Sequence, residues 1–574
     1  MLRKLLFVCG LLLLSLVSRA DRVSAERAGA VAGRFLDGNT KAAGKVLTLK
    51  LADPAYYIFN AEGGGFVIVA GDDAVTPILA YSDEYTFETE GMPANLADWM
   101  TGLRNCILAA QAQGLQPTPE IARAWARLGD AAAAPARDGE SARIETALWG
   151  QGDPYNRLCP EVDGGRSVTG CVATAISIVM RHYQYPDVGH GSLPDYSYYT
   201  DKGHHRSQEG HTLGETYQWD KMPLKYVTGK FTDEEADAVA RLMYDVGIMM
   251  EMQYNPTGSG AYTHVAGDML VKHMGFDASV HMLEKGYYST EDWLAMVKAE
   301  IDAGRPVLYS GYSDAGGHAF VADGYSTNGY IHFNWGWNGS SNGYFAITDV
   351  GGFTDGNLAL FNLFPDEGNK ASNGVPGYTD ISTKATITRN ASFNVTVYDL
   401  VGSGNTFAGQ VAIGKYDNAG ILQELVSNPV NFLHLGVLEY QDRRFSCTIT
   451  TPIYPGDCLR PCYREDKNSD WHPARFNAEY KGDESISLGS GDLLSENASL
   501  RFDTYTRLLT LTSAYEAATC TFASEDGTDR SNLIQSAPAD PGITFTIPTA
   551  NLHPGNYILT LTFGTLSASF TLTL

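Results

Sequence analysis

The 574-residue sequence has little that would bind nucleic acid or a membrane surface. Lysine and arginine total 41 against 66 aspartates and glutamates, so the formal net charge is -25, and no basic run stands out. Nucleic acids and anionic membranes select clusters of positive charge, so we expect no nucleic-acid partner. Beyond the N-terminus no apolar run approaches the length of a transmembrane helix, and no transmembrane segment is predicted.

Several catalytic and metal-binding patterns are also missing. The eight cysteines form no CxxC pair, and no cysteine and histidine pair has zinc-finger spacing. The sequence is not interpreted as a serine hydrolase of the nucleophile-elbow type. His204, His205 and His211 are interpreted as residues of a solvated loop, because no carboxylate pattern accompanies them. We therefore predict no metal and no cofactor.

The N-terminus is typical of a signal peptide. Arg3 and Lys4 precede the apolar run Leu5–Val17, and small residues end at Ala20, where cleavage is expected. The sequence therefore predicts a signal peptide over residues 1–20 and a secreted protein, either free or attached to the cell surface. Seven cysteines remain after removal of the signal peptide, so at least one thiol of a single chain stays unpaired.

Changes in composition predict the domain organisation. Residues 21–127 combine helical and strand-like runs, and residues 128–146, rich in small residues, are typical of an exposed linker open to proteolysis. Residues 147–365 mix helices and strands, whereas residues 369–470 and 471–574 alternate strands with turn residues. We predict two α+β parts joined by a cleavable linker, followed by one or two all-β domains of the Ig-like sandwich type.

The stretch GGRSVTGCVATAISIVMRHYQYP, residues 164–186, has a cysteine at the start of an amphipathic helix. Val172, Ile176 and Val179 recur at helical spacing, which puts Cys171 in the first turn. Unpaired amides at a helix N-terminus favour a thiolate over a thiol. On this stretch alone, Cys171 is either a nucleophile or a packed or disulfide-bonded cysteine.

A nucleophilic cysteine needs a base, and His318 has the most suggestive context among the 13 histidines. It follows a Gly-Gly turn that ends at Gly317, where the backbone can approach a substrate closely, and it opens an apolar strand. The next strand brings Asn334, Trp335 and Trp337 nearby. An amide can orient an imidazole, and an indole can shield the hydrogen bond from water.

Five separated motifs resemble the streptopain family of papain-like cysteine proteases. Three belong to the catalytic region: TGCVATA (169–175), GHAFVADGY (317–325) and FNWGWNGSSNGYF (333–345). WGQGDPYNRLCP (149–160) is similar to the start of the mature enzyme, and FNAEGGGFVIVAGDDAVTPILAYSDE (59–84) to the propeptide of that family. The resemblance implies a papain-like protease domain, secreted as a zymogen whose propeptide is an intramolecular inhibitor.

The resemblance also implies roles for individual residues. Cys171 is implied as the nucleophile, and His318 as its general base and acid. Gln151 is implied as a side-chain donor to the oxyanion, and either Asn334 or Trp335 as the third catalytic residue. Three further residues are expected to contact the substrate or line the cleft: Ser259, Gly317 and Trp337.

We therefore predict a secreted cysteine endopeptidase, made as an inactive precursor, that hydrolyses protein and peptide substrates through a thioester acyl-enzyme. The maturation bond is expected within residues 129–146. The resemblance implies a hydrophobic residue two positions before the scissile bond. The alternative is a non-catalytic secreted binding or adhesion protein that acts through the C-terminal β-domains. The presence of both Cys171 and His318 favours the enzyme.

Overall fold

We describe the protein from a computed structural model. It covers residues 22–573 apart from 40, 42, 93, 130–141, 314–315, 327, 348–354, 386, 388, 438, 455, 489–497, 504–506, 514–517, 540–542 and 564–565. The predicted signal peptide and most of the predicted linker lie outside the described residues. The chain divides into two units, one ending at Lys370 and the other beginning at Ala371, with Gly286–Tyr288 assigned to the second.

The first unit begins with an α+β part that carries four antiparallel strands. Strands β3 and β4 are buried at every position, and all their residues except Ser82, at the end of β4, are apolar or aromatic. The elements are α1 (Ala25–Asn39), β1 (Leu47–Ala52), β2 (Tyr56–Ala61), β3 (Phe66–Ala70), β4 (Ile78–Ser82), α2 (Ala94–Gln113) and α3 (Pro119–Gly129).

The described residues of the remainder of the first unit form four α-helices and eleven strands. Helix α5 begins with a capping box between Thr232 and Glu235, and helix α7 is capped by the Ser289 side chain. The elements are β5 (Ala142–Arg143), β6 (Glu161–Val162), β7 (Gly165–Arg166), α4 (Cys171–Tyr183), β8 (Tyr196–Tyr199), β9 (His205–Gln208), α5 (Asp233–Met249), α6 (Ala266–Met274), β10 (His281–Glu284), α7 (Thr290–Asp302), β11 (Val307–Ser313), β12 (Gly316–Tyr325), β13 (Tyr330–Asn334), β14 (Gly343–Ala346) and β15 (Asp355–Phe361).

One eleven-stranded sheet joins the two parts of this unit. Its order is β1-β2-β3-β4-β14-β13-β12-β11-β15-β10, with β5 paired to β12. The junction is antiparallel and short, with Tyr81 opposite Tyr344 and Ala80 opposite Phe345. The N-terminal part therefore extends the sheet of the later part through the edge of β14.

The segment predicted as a linker is shorter in the structure than residues 128–146. Helix α3 continues to Gly129, and β5 begins at Ala142. Strand β5 pairs with Gly324 and Tyr325 of β12, and the backbone N–H of Ile144 donates to the carbonyl of Asp323 at 2.7 Å. The end of the predicted linker is thus part of the eleven-stranded sheet, because its backbone groups are paired there.

The second unit consists of strands, as its alternating sequence pattern predicts. Two sheets enclose one apolar core. The first sheet has the order β17-β18-β16-β25, with β22 paired to β18, and the second has the order β20-β19-β23-β24, with β21 paired to β19 and β26 paired to β23. Two further sheets, β27-β28-β31-β30 and β29-β32-β33, enclose another. The strands are β16 (Val375–Tyr378), β17 (Asp380–Ser382), β18 (Ser392–Ser403), β19 (Phe407–Tyr416), β20 (Leu422–Leu425), β21 (Val430–Leu435), β22 (Gln441–Thr448), β23 (Cys458–Arg464), β24 (His472–Pro473), β25 (Arg475–Phe476), β26 (Ile486–Ser487), β27 (Ala498–Asp503), β28 (Leu508–Ser513), β29 (Thr519–Ser524), β30 (Gln535–Pro538), β31 (Ile543–Pro548), β32 (Asn556–Phe563) and β33 (Leu566–Thr573).

The domain boundary expected between residues 470 and 471 falls inside the first of these sandwiches. Strands β24 and β26 both pair with β23, and Ala474 and Leu488 belong to the first apolar core. The first sandwich therefore runs to about Leu488. Among the described residues, none of the helices combines the length and hydropathy needed to cross a bilayer.

Candidate active site

Helix α4 begins at Cys171, as the helical spacing predicts. The preceding residue, Gly170, has φ +85°, and a Cβ placed on it would lie 2.6 Å from Met252 Sδ and 2.8 Å from the Ser259 carbonyl oxygen. No other residue fits this position without displacing backbone, since φ is positive and the space is filled. Thr174 closes the first turn, because its hydroxyl donates to the Gly170 carbonyl at 2.9 Å.

The Cys171 thiol is buried and surrounded by backbone donors. The N–H groups of Ala319, Val172 and Cys171 itself favour the thiolate. Burial outweighs them and raises the pKa of Cys171. The thiol is therefore neutral in this form of the protein, although the donors that could stabilise a negative charge are already in place.

His318 lies in β12 and is held by a residue of the N-terminal part. Its Nε2 and the Asp98 Oδ2 of helix α2 are 2.6 Å apart. Both side chains are shielded, with 15% and 13% of their surfaces exposed. Burial lowers the pKa of His318, and the charge and hydrogen bond of Asp98 act in the opposite direction. The sequence analysis did not identify Asp98, whose partner lies 220 residues away.

Trp99, the residue after Asp98, anchors helix α2 against the sheet. Its ring meets Trp335 and Phe345 edge-on, with centroids 5.9 Å away in both cases, and Phe333 at 5.4 Å. Only 1% of Trp99 is exposed. An indole buried among aromatic rings is fixed in position, so Asp98 is held over His318 by its neighbour.

The strand register separates the two candidates for the third catalytic residue. Asn334 of β13 lies opposite Val321 of β12, three residues from His318. Side chains alternate between the faces of a strand, so Asn334 and His318 belong to opposite faces of the sheet. Trp335 belongs to the face of His318, and its ring packs 4.8 Å from that of Phe320.

The Asn334 side chain is part of a buried polar network on its own face. Its amide donates to Thr146 Oγ1 and to the Ala147 carbonyl, each at 2.9 Å. Thr146 in turn donates to Asp323 at 2.5 Å, and Asp323 also bonds the His332 ring at 2.5 Å. We call these five residues the buried network. It joins the strand that carries Asn334 to the chain just after β5.

Gln151 is close in space to the segment before Cys171, although it lies twenty residues upstream. Its carbonyl accepts a hydrogen bond from the backbone N–H of Thr169 at 3.1 Å, two residues before Cys171. Its side chain is buried. The loop that begins at Trp149 is therefore fixed against the segment that leads into helix α4.

Three further candidates have different surroundings. The Ser259 hydroxyl accepts a hydrogen bond from the backbone N–H of Asn255 and donates one to the Val168 carbonyl at 2.7 Å. It therefore stabilises the segment that leads into α4. The indole nitrogen of Trp337 is buried and has no hydrogen-bond partner. Gly317 lines a pocket beside His318.

That pocket has a volume of about 210 Å³ and is lined by Val172, the residue after Cys171. Its lining combines the residue after Cys171, the loop that follows Ser259, and strands β11 and β12. The residues are Val172, Gln253, Gly260, Ala261, Tyr262, Thr263, Ser310, Gly317 and His318. We call it the cleft pocket.

Within the described residues, no three His, Cys, Asp or Glu side chains form a cluster that could hold a metal ion. His204 bonds Asp163 at 2.7 Å and His211 bonds Asp245 at 2.9 Å, so these two histidines brace surface loops. The seven cysteines of the described chain are all free thiols.

Comparisons with known proteins agree with this arrangement. Residues 149–345 match the peptidase C10 family, and residues 20–107 match the Spi protease inhibitor. The chain is 32% identical over 403 residues to the thiol protease/hemagglutinin PrtT of Porphyromonas gingivalis, which covers 66% of this chain and 45% of that protein. It is 30% identical over 319 residues to streptopain of Streptococcus pyogenes serotype M1, which covers 52% of this chain and 75% of that protein.

A solved structure of a Prevotella intermedia prointerpain A fragment is 29% identical, covers 56% of this chain and 99% of that chain, and has a TM-score of 0.46. The two family matches define a cysteine-type peptidase with an inhibitor domain ahead of it. The chain belongs to the peptidase C10, or streptopain, family. The predicted family, enzyme class and α+β fold class with β-rich C-terminal domains are confirmed, whereas the Ig-like character of those domains stays a prediction.

Proposed function

We propose that this chain is a secreted cysteine endopeptidase that is synthesised as an inactive precursor. In this proposal residues 1–20 are a signal peptide, residues 21–127 an inhibitory propeptide and residues 147–365 the protease domain. The two β-sandwiches follow it. The observation that carries the proposal is the hydrogen bond between Asp98 of the propeptide and His318, next to a buried cysteine at a helix N-terminus.

In the active form His318 takes the proton of Cys171, and the thiolate attacks a peptide carbonyl. The N–H of Cys171 and the side chain of Gln151 are the donors proposed for the oxyanion. His318 then protonates the leaving amine, and water hydrolyses the thioester. Trp335 covers the imidazole, a role supported by its place on the face of His318 and its packing against Phe320.

Latency follows from the same contacts. Asp98 occupies the Nε2 atom of His318, and the pKa of Cys171 is raised by burial, so the pair does not rest as thiolate and imidazolium. Trp99 adds an apolar anchor that must leave with helix α2. Removal of the propeptide is therefore the step that frees the base.

The experiment compares three full-length precursors under reducing conditions: the wild type, Cys171→Ala and Cys159→Ala. Cys159 is the matched control, because it is also a buried thiol, and burial raises its pKa to about 12. The wild type and Cys159→Ala are expected to shorten and to hydrolyse casein, with activity blocked by a thiol alkylator. Cys171→Ala is expected to do neither, with a loss of about 10⁴-fold or more.

Two results would count against the proposal. Casein hydrolysis by Cys171→Ala at the wild-type rate would remove Cys171 as the nucleophile. A wild-type precursor that stays at full length and inert, even after limited digestion of its propeptide by an added protease, would favour the binding or adhesion alternative.

A further inference from the structure

The first β-sandwich carries a polar pocket that the proposed peptidase does not use. It lies over strand β18, which pairs with β17 on one side and with β22 on the other. Its volume of about 470 Å³ is within the ~300–1,000 Å³ typical of small-molecule sites. Its polar lining includes Ser382, Lys384, Asn394, Thr396, Tyr398 and Arg444. We call it the sandwich pocket.

The strand register explains why polar side chains gather there. Alternate residues of β18 belong to the apolar core: Phe393, Val395 and Val397. Successive side chains of a strand point to opposite faces, so Asn394, Thr396 and Tyr398 point to the outer face. Across the strands, Thr396 lies opposite Ser382 of β17 and opposite Arg444 of β22. Residues that are paired across strands share a face, so these five side chains form one continuous polar surface.

The sandwich pocket carries positive charge only. Lys384 and Arg444 are exposed cations, and no aspartate or glutamate belongs to the described lining. Within the described part of the chain, neither cation has an ion-pair or side-chain hydrogen-bond partner. The nearest acid along β22, Asp442, accepts the backbone N–H of Asp399 at 3.3 Å. In a chain with a formal net charge of -25, a pocket with two cations and no acid favours an anionic ligand.

The uncharged groups narrow the class of anion. The side chains of Asn394 and Thr396 have no partner among the described residues, so they offer the donors and acceptors that sugar hydroxyls need. The Tyr398 ring offers an apolar surface, and its hydroxyl lies 3.4 Å from Ser382 Oγ. A sugar has hydroxyls at its rim and apolar ring faces, so a carboxylate-bearing sugar would use all of these groups. An acidic peptide would use the cations and leave the others without a partner.

We propose that the sandwich pocket binds a carboxylate-bearing sugar. Arg444 and Lys384 bind the carboxylate, because a planar guanidinium matches a carboxylate in bidentate geometry and an ammonium adds charge. Asn394 and Thr396 bond the sugar hydroxyls, and the ring of Tyr398 packs against the sugar ring. The ligand is either a sialic acid that ends a glycoprotein glycan or a uronic acid of an acidic polysaccharide. The inference goes beyond the proposed peptidase function and does not depend on it.

Titration calorimetry with the full-length Cys171→Ala protein tests the proposal without interference from proteolysis. The acidic probes are sialyllactose and methyl glucuronide, and their neutral counterparts are lactose and methyl glucoside. A short peptide of glutamates is the fifth probe. At least one acidic sugar is expected to bind about tenfold or more tightly than its neutral counterpart and than the peptide, because the carboxylate makes charge-assisted hydrogen bonds.

Variants in the same Cys171→Ala background locate the site. Arg444→Gln is expected to weaken binding of the acidic sugar about tenfold or more, and Thr396→Val about three- to tenfold. Arg443→Gln is the matched control, because it makes the same charge change on the same strand. Arg443 lies outside the described lining, with its guanidinium 6.0 Å from the Phe432 ring. This control is expected to keep the parent affinity, and equal thermal midpoints show that all variants are folded.

The outcomes identify the source of the sugar or overturn the site. Binding of sialyllactose points to glycoprotein glycans, and binding of the glucuronide points to acidic polysaccharides; either result supports the proposal. Equal affinity for acidic and neutral sugars, or binding of the glutamate peptide alone, would overturn it. It would also be overturned by no binding of either acidic sugar at about 10 mM, or by equal affinities of Arg444→Gln and Arg443→Gln. Casein hydrolysis by the wild type is measured separately, so failure here leaves the proposed function standing.

Discussion

Thr146 accepts a hydrogen bond from the buried amide of Asn334, 2.9 Å away, although the two residues stand 188 positions apart. Thr146 closes the segment that the sequence marks as a cleavable linker. In the structure it belongs to the buried network, and its hydroxyl donates a hydrogen bond to Asp323. Cleavage close to Thr146 would therefore free a strand that the protease part uses.

This contact limits where the precursor is cut. We expect the N-terminus of the mature protein to lie at or before Ala142, because Ala142 and Arg143 pair with β12, and Thr146 and Ala147 are the two partners of the Asn334 amide. Intact mass and N-terminal sequencing of the self-processed protein measure the position directly. A mature chain that starts between 143 and 147 would contradict the prediction, since it would lack paired residues of β5 or the buried network.

The contact between Asp98 and His318 predicts faster maturation when Asp98 is replaced. Asp98→Ala removes a charge-assisted hydrogen bond, which contributes about 1.5–3 kcal/mol, so self-processing is expected to accelerate about 10- to 100-fold. Asp98→Asn should lie between this variant and the wild type, because the amide still bonds the ring without charge. The measurement is the first-order rate of precursor loss on gels.

Asp73→Asn is the control for that experiment. Asp73 forms an ion pair with Arg27 at 3.0 Å and is 17% exposed, close to the 13% of Asp98, but it lies away from the cleft. Its precursor should mature at the wild-type rate. If self-processing accelerates equally in both variants, any weakening of the propeptide opens the site. That result would contradict a specific role for Asp98.

The titration of His318 gives a prediction with a definite sign. Burial lowers its pKa below the usual value of about 6.5, and Asp98 partly restores it. In the Cys171→Ala precursor, NMR of the ring protons should show a midpoint below 6.5, and Asp98→Asn should move it lower still. A midpoint above 6.5, or an upward shift in Asp98→Asn, would contradict this account.

The same shift makes precursor stability depend on pH. The unfolded chain binds a proton at His318 more readily than the folded precursor does, so this residue's contribution to stability is present above about pH 6.5. It decreases as the pH falls through the folded pKa. Mild acid is therefore expected to lower the stability of the folded precursor through the protonation of His318.

Gly170 predicts a strong local effect of a single methyl group. In Gly170→Ala the new Cβ would meet Met252 Sδ at 2.6 Å and the Ser259 carbonyl at 2.8 Å, with φ held at +85°. We expect a loss of about 2 kcal/mol or more, seen as a lower thermal midpoint, and a lower kcat because Cys171 is displaced. Gly258→Ala, where nothing lies within 4 Å, should change neither quantity.

Sequence reasoning identified the helix that begins at Cys171 and the strand that opens at His318, because both follow from local spacing and glycine placement. It left Asn334 and Trp335 as alternatives, since the strand register that separates their faces depends on pairing with β12. The role of Asp98 could not be predicted from the sequence for a related reason. A carboxylate beside the buried Trp99 is unusual on an apolar helix face, but nothing local names a partner 220 residues away.

The C-terminal boundary shows a second limit. The strands that return to the first sandwich, His472–Pro473 and Ile486–Ser487, are two residues long and have no alternating pattern to read. Their place is set by pairing with Cys458–Arg464. The sequence pattern therefore correctly predicted that the C-terminal region is all-β, but it placed the boundary between the two sandwiches too early in the chain.

The shared sheet has a consequence for the order in which the chain folds. Strands β2, β3 and β4 are neighbours in sequence and pair with one another, so they can form as soon as they leave the ribosome. Strand β14, made more than 260 residues later, then finds the edge at Tyr81 already formed. The part of the molecule proposed as the propeptide is thus the template on which the distant half of the sheet is completed, and a protease domain synthesised without it would have to find that arrangement unaided.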